Sequence, residues 1–438
     1  MRRSTRIAQV ATAVTANASL IASTSATKLR GKRSHAPAAG SGEVRGSDVV
    51  KREQKKIKAE VIKTEVKFDA VVAMGALSHQ GLNINWQDLC SVQELSCVVT
   101  LTSGQVFTWQ QDPKSGHWTG VVERNVFKLR EHDQRVQFHC MHPPHLTLEE
   151  ARQVLHDYFR LEVEAAPLYK LWSEKDDDMS KVIRSLPGLR IIRQDPVECL
   201  YAFICSSNNN ILRITHMVNN LKKSYGELLL HDVGSDVKYY SFPSVDALVK
   251  QADEVTLRAL GFGYRAPFII KTSQQLQAHG GRDFLLQLRQ VPPQDGLAVD
   301  LYAEKLMTFA GIGRKVADCI GLFSLNKLDA IPVDTHVWQI ACREFDPSLK
   351  HKKSLTPTIY QAVGDHFRAR FSPMAGWAHS VLFTGDLSSF QSHLPEEVQR
   401  KKPSSKKAKR TSSMEQTTVK KVKQATQSQK AKLTDKTT

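Results

Sequence analysis

The chain has 438 residues, 41% of them hydrophobic, with a formal net charge of +17 and a pI of about 9.5. This length accommodates two or three domains with buried cores, and the lack of an apolar run of about 18 residues excludes a membrane-spanning helix. The charge is unevenly placed: residues 1–67 hold 15 Lys/Arg against 5 Asp/Glu and residues 400–438 hold 13 against 2, whereas residues 68–399 hold 33 against 37. The basic tails point to a polyanionic partner. The slightly acidic middle must meet such a partner through local clusters.

In chain order, residues 1–67 are a basic leader and linker, expected to be disordered. Before the first acidic residue, Glu43, stand Arg2, Arg3, Arg6, Lys28, Arg30, Lys32 and Arg33 among Ala, Ser and Thr. That is the profile of an organelle transit peptide and equally of a plain disordered leader. Residues 80–190 are expected to form an antiparallel β-sheet domain with helices. There LSCVVTLT, QVFTWQ, HWTGVV, NVFKL and RVQFHC, between 95 and 140, alternate in the strand manner, with Ser103-Gly104 and Ser115-Gly116 among the turns. Thr147 and Glu150 make a capping box at the start of the helical pattern.

Residues 191–390 are expected to be an all-helical body, so the fold class is α+β. Asp195, Pro196 and Glu198 open one helix, and another runs from about 211 to Tyr225 and stops at Gly226. Residues 391–438 read as a disordered basic tail that lacks the apolar residues to fold. Its KKPSSKKAKR at 401–410 fits nuclear localisation or non-specific phosphate contact. The seven cysteines show no C-x-x-C pair and no zinc-like spacing, which predicts reduced thiols in an intracellular protein and no metal.

The chemistry concentrates in 297–338. A helical stretch, LAVDLYAEKLMTF, is interrupted by Ala310-Gly311-Ile312-Gly313 and resumes at Arg314-Lys315. Gly311 and Gly313 allow a tight hairpin whose free N–H groups face outward at a helix start, a seat for phosphate; the same pattern also serves as an ordinary helix–helix turn. Lys315 lies in the first turn of the resumed helix. To act as a nucleophile it must lose a proton held with a pKa of about 10.4, and desolvation among Phe309, Ile312, Val316 and Ile320 is the expected cause of a depressed value. Asp334, in Pro332-Val333-Asp334-Thr335-His336, reads as a helix N-cap. A cap carboxylate at a cavity edge can also face developing positive charge.

A G-I-G-x-K hairpin followed nineteen residues later by V-D resembles the helix-hairpin-helix glycosylase superfamily. The strings QDPVEC (194–199), FICSSNNN (203–210), GFGYRA (261–266), KVADC (315–319), PVD (332–334), AGWA (375–378) and VLF (381–383) narrow the resemblance to the eukaryotic 8-oxoguanine DNA glycosylase/AP lyase family, over roughly residues 85–390. The resemblance implies a TBP-like sheet domain before a helix-hairpin-helix glycosylase body. It implies a monomer acting on double-stranded DNA with 8-oxoguanine opposite cytosine, without cofactor or membrane.

By the same resemblance Lys315 attacks the sugar and forms a Schiff base, while Asp334 stabilises the cationic sugar. Phe383 and Cys319 sandwich the flipped base, and the Gly104 carbonyl meets the N7–H that oxidised guanine has and guanine lacks. Asn208, Arg213 and Arg265 hold the orphaned cytosine, Asn209 joins them in the Asn208–Asn210 turn, and Tyr264 wedges into the gap. Gly311, Gly313 and His336 meet phosphate, with Asp386 supporting His336.

Two positions depart from the family pattern. Ala310 replaces a proline, and His379 replaces a glutamine that reads the Watson–Crick edge of the flipped base. An imidazole imitates that amide only partly, so altered base recognition and a pH dependence through His379 are expected. Two other readings stay open: a related helix-hairpin-helix glycosylase for another damaged base, and a non-catalytic DNA-binding module.

Overall fold

The computed structural model describes residues 85–290, 301–352 and 354–400. The leader, the linker and the tail beyond Arg400 lie outside the described residues. Five strands form an antiparallel sheet in the order β1-β5-β4-β3-β2: β1 (Gln87–Ser91), β2 (Gln110–Gln111), β3 (Trp118–Val122), β4 (Asn125–His132) and β5 (Arg135–His142). Alternation decides the buried face. Phe127 and Leu129 of β4 stand beside Cys140 and Phe138 of β5, and Phe127, Leu129, Val136 and Phe138 are fully buried. Helix α2 (Leu148–Tyr158) covers that face through Ala151, Leu155 and Tyr158, and its Thr147–Glu150 capping box is formed.

Two of the expected strands are not strands. Cys97–Thr102 is helix α1, capped by Ser96, which accepts from Val99 N–H, and four of its six residues are buried. Its β-branched run suggests a strand, but the cap and the contact of Cys97 N–H with Glu131 Oε1 at 2.6 Å favour a helical turn. In QVFTWQ only Gln110 pairs in the sheet, with Thr119. Val106, Phe107 and Trp109 are all buried, so this segment passes through the interior instead of alternating. Strand β1 has no counterpart in the sequence reading.

The helical body comprises α3 (Ala165–Lys175), α4 (Asp177–Ser185), α5 (Pro196–Ser206), α6 (Ile211–Tyr225), α7 (Val245–Gln251), α8 (Glu254–Ala259), α9 (Ala266–Ala278), α10 (Arg282–Gln290), α11 (Leu301–Met307), α12 (Arg314–Ser324), α13 (Thr335–Glu344), α14 (Pro357–Phe371) and α15 (Ala375–Asp386). It is not all-helical: a hairpin of β6 (Leu228–Asp232) and β7 (Val237–Tyr240) follows α6. Its tight turn at Gly234–Ser235 is closed by the Asp232 side chain. Asp195 caps α5 as expected, and α5 is buried from Pro196 to Cys205. The basic tail starts later than residue 391. Gln391–His393 is a 3₁₀ turn, and Gln391 Oε1 accepts from Arg400 N–H at 2.6 Å.

All described residues fall in one compact unit, pinned near residues 190–194. Gln105 accepts from Ile192 N–H at 3.0 Å and donates to the Arg190 carbonyl at 2.8 Å. The Arg190 side chain is fully buried. It donates to the carbonyls of Phe159 (3.0 Å) and Val163 (2.7 Å) and to Glu94 (2.8 Å), and lies 4.9 Å above the Trp377 ring. Breaking such a buried set from one side leaves the other groups unpaired. Arg190→Met is expected to lower unfolding free energy by about 3–5 kcal/mol in chemical denaturation; a loss below about 1 kcal/mol would show that the pin does not matter.

Candidate active site

The hairpin before α12 rests on α9. The Thr272 hydroxyl donates to the Ala310 carbonyl at 2.7 Å, and Gln275 Oε1 accepts from Ala310 N–H at 3.0 Å. Gly311 has φ +79°, and a Cβ there would stand 2.8 Å from the Phe268 ring, so this turn needs glycine twice over. Gly313 begins α12 without a side-chain cap, leaving the first N–H groups available to an anion.

Lys315, in the first turn, is partly exposed, with its Nζ 5.7 Å from the centre of the Phe203 ring. Burial pushes its pKa down, but Cys319 and Asp334 push it up by more, and it stands above the ordinary lysine value. The sequence reading expected the opposite. Burial holds the Cys319 thiol up at about 11, with Lys315 pulling it down. In the free enzyme Lys315 is a cation.

Asp334 caps its helix as read and lies at a cavity edge. Its side chain accepts from His336 and Val337 N–H at 2.9 and 3.0 Å, capping α13. It also lines a cavity of about 50 Å³ together with Gly104, Lys315, Cys319, His379 and Phe383. Six residues from four separate stretches of sequence thus converge. Gly104 has φ +85°, and its missing Cβ would point at Ile211 and Phe383. The volume holds only a few waters, so a purine requires the walls to part. Phe203, which also lines this cavity, was not singled out in the sequence; it sits inside an apolar helix and carries no separate signal.

His379 is 4% exposed, and neither ring nitrogen has a hydrogen-bond partner. It stacks on Phe383 at 6.1 Å and meets the edge of Phe367 at 5.4 Å. Burial drives its pKa down to about 4. The imidazole is therefore neutral throughout the physiological range, and the expected pH-dependent recognition there is corrected.

The residues read as DNA contacts lie in two groups. In the first, Asn208 is exposed with φ +48°, Arg213 is exposed and reaches the Gly261 carbonyl at 3.4 Å, and Tyr264 is 51% exposed with its hydroxyl 3.0 Å from the Ser207 carbonyl. Arg265 is buried beneath them, donating to the carbonyls of Ser207 and Asn208, with its Nε unpaired. Asn209 turns inward, donating to the Cys205 carbonyl at 2.9 Å, so its side chain does not join the outward-facing set. In the second group, His336 is exposed and lies 3.7 Å from buried Asp386. Arg400 stands between them, 2.9 Å from His336 Nδ1 and paired with Asp386. The sequence reading had left Arg400 in the tail.

A glycine hairpin opening a helix that carries a lysine, with a cap aspartate across a cavity between sheet and helices, defines the helix-hairpin-helix class of DNA glycosylases. Residues 89–200 match the 8-oxoguanine DNA glycosylase N-terminal domain, and residues 201–361 match the HhH-GPD superfamily of base excision DNA repair proteins. The chain is 40% identical to the N-glycosylase/DNA lyase OGG1 of Arabidopsis thaliana, covering 67% of this chain and 78% of that one. It is 35% identical to the N-glycosylase/DNA lyase of Saccharomyces cerevisiae, covering 70% and 85%. Its fold is similar to the 8-oxoguanine glycosylase/lyase of Clostridium acetobutylicum in complex with double-stranded DNA containing cytosine opposite 8-oxoguanine. The TM-score there is 0.56 and the identity 27%, over 66% of this chain and 91% of that one. The chain belongs to the 8-oxoguanine DNA glycosylase family and is an N-glycosylase/DNA lyase.

The buried imidazole couples stability to pH. Its folded pKa of about 4 lies below the unfolded value of about 6.5, so the unfolded chain binds more protons between those limits. The His379 contribution is complete above pH 6.5 and is lost as pH falls toward 4. Between pH 7.5 and 5 the loss is about 2 kcal/mol. His379→Gln is expected to remove that part of the decline in denaturant unfolding, while the pH profile of base release between 6.5 and 8 keeps its shape. Parallel stability curves for the two proteins would contradict this.

Proposed function

We propose that this enzyme excises 8-oxoguanine paired with cytosine in duplex DNA and then cleaves the strand, with Lys315 as nucleophile and Asp334 as its electrostatic partner. The observation that carries this reading is the convergence of Lys315, Asp334, Cys319, Phe383 and Gly104 on one cavity. The Clostridium acetobutylicum enzyme in complex with DNA containing that base pair supports the substrate.

Lys315 first gives up its proton, for which Asp334 is the nearby acceptor. Its Nζ then bonds to C1′ as the glycosidic bond breaks, and the departing base takes the bonding pair and a proton. Opening of the sugar, with the electrons and a proton going to its ring oxygen, leaves a Schiff base. Loss of a C2′ proton expels the 3′ phosphate, and water releases the lysine. Asp334 faces the positive charge that develops on the sugar. Gly104 offers its carbonyl to N7–H, and one such bond supplies only about 0.5–1.5 kcal/mol of net preference. His379 presents an uncharged imidazole to the base edge. Asn208, Arg213, Tyr264 and Arg265 face the opposite strand, with Arg265 first releasing the carbonyls it now holds. Gly311, Gly313, His336 and Asp386 serve the phosphates of the damaged strand. The 401–410 cluster supports nuclear import, and the acid-free leader supports delivery to an organelle.

Borohydride reduction during reaction with an 8-oxoguanine:cytosine duplex is expected to trap a covalent adduct that Lys315→Gln abolishes. Asp334→Asn should slow base release by about 10²-fold or more. An adduct that survives Lys315→Gln, or one formed only with other lesions, would refute the assignment.

A further inference from the structure

A buried carboxylate stands directly behind the cavity without lining it. Asp318 of α12 is 1% exposed and lies between Lys315 and Cys319 in sequence. Its Oδ1 accepts from the Tyr302 hydroxyl of α11 at 2.7 Å. Its Oδ2 accepts from Arg314 Nε at 3.0 Å and from the Tyr360 hydroxyl of α14 at 2.5 Å. The Tyr360 hydroxyl has a second neighbour of consequence, the Val333 N–H, which donates to it at 3.1 Å. Val333 is the residue before Asp334, and its own side chain is 1% exposed.

The direction of these bonds is fixed by chemistry. A phenol has one proton, and the carboxylate at 2.5 Å outcompetes the Ile331 carbonyl at 3.2 Å for it. The oxygen's lone pair is then free to accept from Val333. Burial and the Asp318 charge push the phenol's pKa far up, so it does not ionise and the bridge persists at any working pH. Arg314, 5.5 Å from the ring centre, closes the cluster on the side of the hairpin.

We propose that Tyr360 is a positioning residue of this active site: its hydroxyl ties the carboxylate of the Lys315 helix to the peptide that leads into Asp334, and so sets the separation of the two. The inference rests on the roles proposed for Lys315 and Asp334. Those two residues are nineteen apart in sequence and belong to separate helices, and reacting groups tolerate displacements of only about 0.5 Å. One hydroxyl bonded to both supporting elements removes that freedom. Tyr302 donates to the same carboxylate but has no bond to the Asp334 turn, which makes it an internal control.

Tyr360→Phe and Tyr302→Phe each take one donor from Asp318, but only the first releases Val333. In single-turnover excision by the full-length enzyme on an 8-oxoguanine:cytosine duplex, Tyr360→Phe is expected to be about 10-fold slower, within the range seen for misplaced catalytic groups. Its affinity for a duplex carrying a tetrahydrofuran abasic analogue should stay within about twofold, and Tyr302→Phe should match the unsubstituted enzyme in both respects. Equal slowing by the two variants, an unchanged rate in Tyr360→Phe, or a parallel loss of DNA affinity overturns the proposal. So does failure of Tyr360→Phe to fold where Tyr302→Phe folds, since the hydroxyl is assigned a role in rate and not in stability. Loss of the borohydride adduct in the unsubstituted enzyme would instead overturn the Lys315 chemistry itself, and this inference with it.

Discussion

A lysine ammonium kept against phenyl rings at a helix start is an unfavourable arrangement, and much of the helical body serves to hold it. Both the positive end of α12 and the loss of water act to drive the proton off Lys315. Cys319 and Asp334 act the other way, and the balance lies above the ordinary lysine value. The Asp334 side chain is itself held by two N–H groups at the start of α13. The free enzyme therefore holds a charged Lys315 in a cavity whose wall also carries the Asp334 carboxyl group.

The sheet domain completes the site. The segment after α1 carries Gly104 into the cavity wall, and the adjacent Gln105 is bonded to the backbone at Arg190 and Ile192. Gln194, just before α5, donates back to the Gln105 carbonyl at 2.9 Å. The Gly104 wall of the cavity is thereby locked to the helix bearing Phe203, whose ring centre lies 5.7 Å from Lys315 Nζ. A cavity of about 50 Å³ built this way is closed to bases in its resting form.

Charge is divided between reach and register. The tails hold the basic excess, and the middle of the chain is slightly acidic. A basic excess of this kind is the sequence signature of long-range, salt-sensitive attraction to phosphate. The body offers discrete points: the hairpin N–H groups, Arg213, and the His336–Arg400–Asp386 cluster. Arg400 links the two systems, since it is where the described fold ends and the basic tail begins.

Local chemistry was legible in the sequence wherever a few adjacent residues suffice to specify it. The capping box at Thr147, the Asp195 and Asp334 caps and the glycine hairpin each depend on hydrogen bonds within four residues. The ordered motif strings identified the family. Alternation found β3, β4 and β5 but misassigned Cys97–Thr102, where a Ser96 cap turns a β-branched run into a helix, and Gln105–Trp109, where burial of every residue removes the two-residue period that marks a strand. What only the tertiary structure decided were properties set by the surroundings: that the Lys315 pKa is raised, because Cys319 and Asp334 outweigh its burial; that His379 is neutral, because burial beside Phe367 and Phe383 excludes water; and that Arg265 and Asn209 turn inward. Tyr360 belongs here as well. Nothing around it in sequence marks it, because its partners Asp318 and Val333 lie 42 and 27 residues away. Electrostatic environment and packing are sums over the whole fold, and a linear motif carries none of those terms.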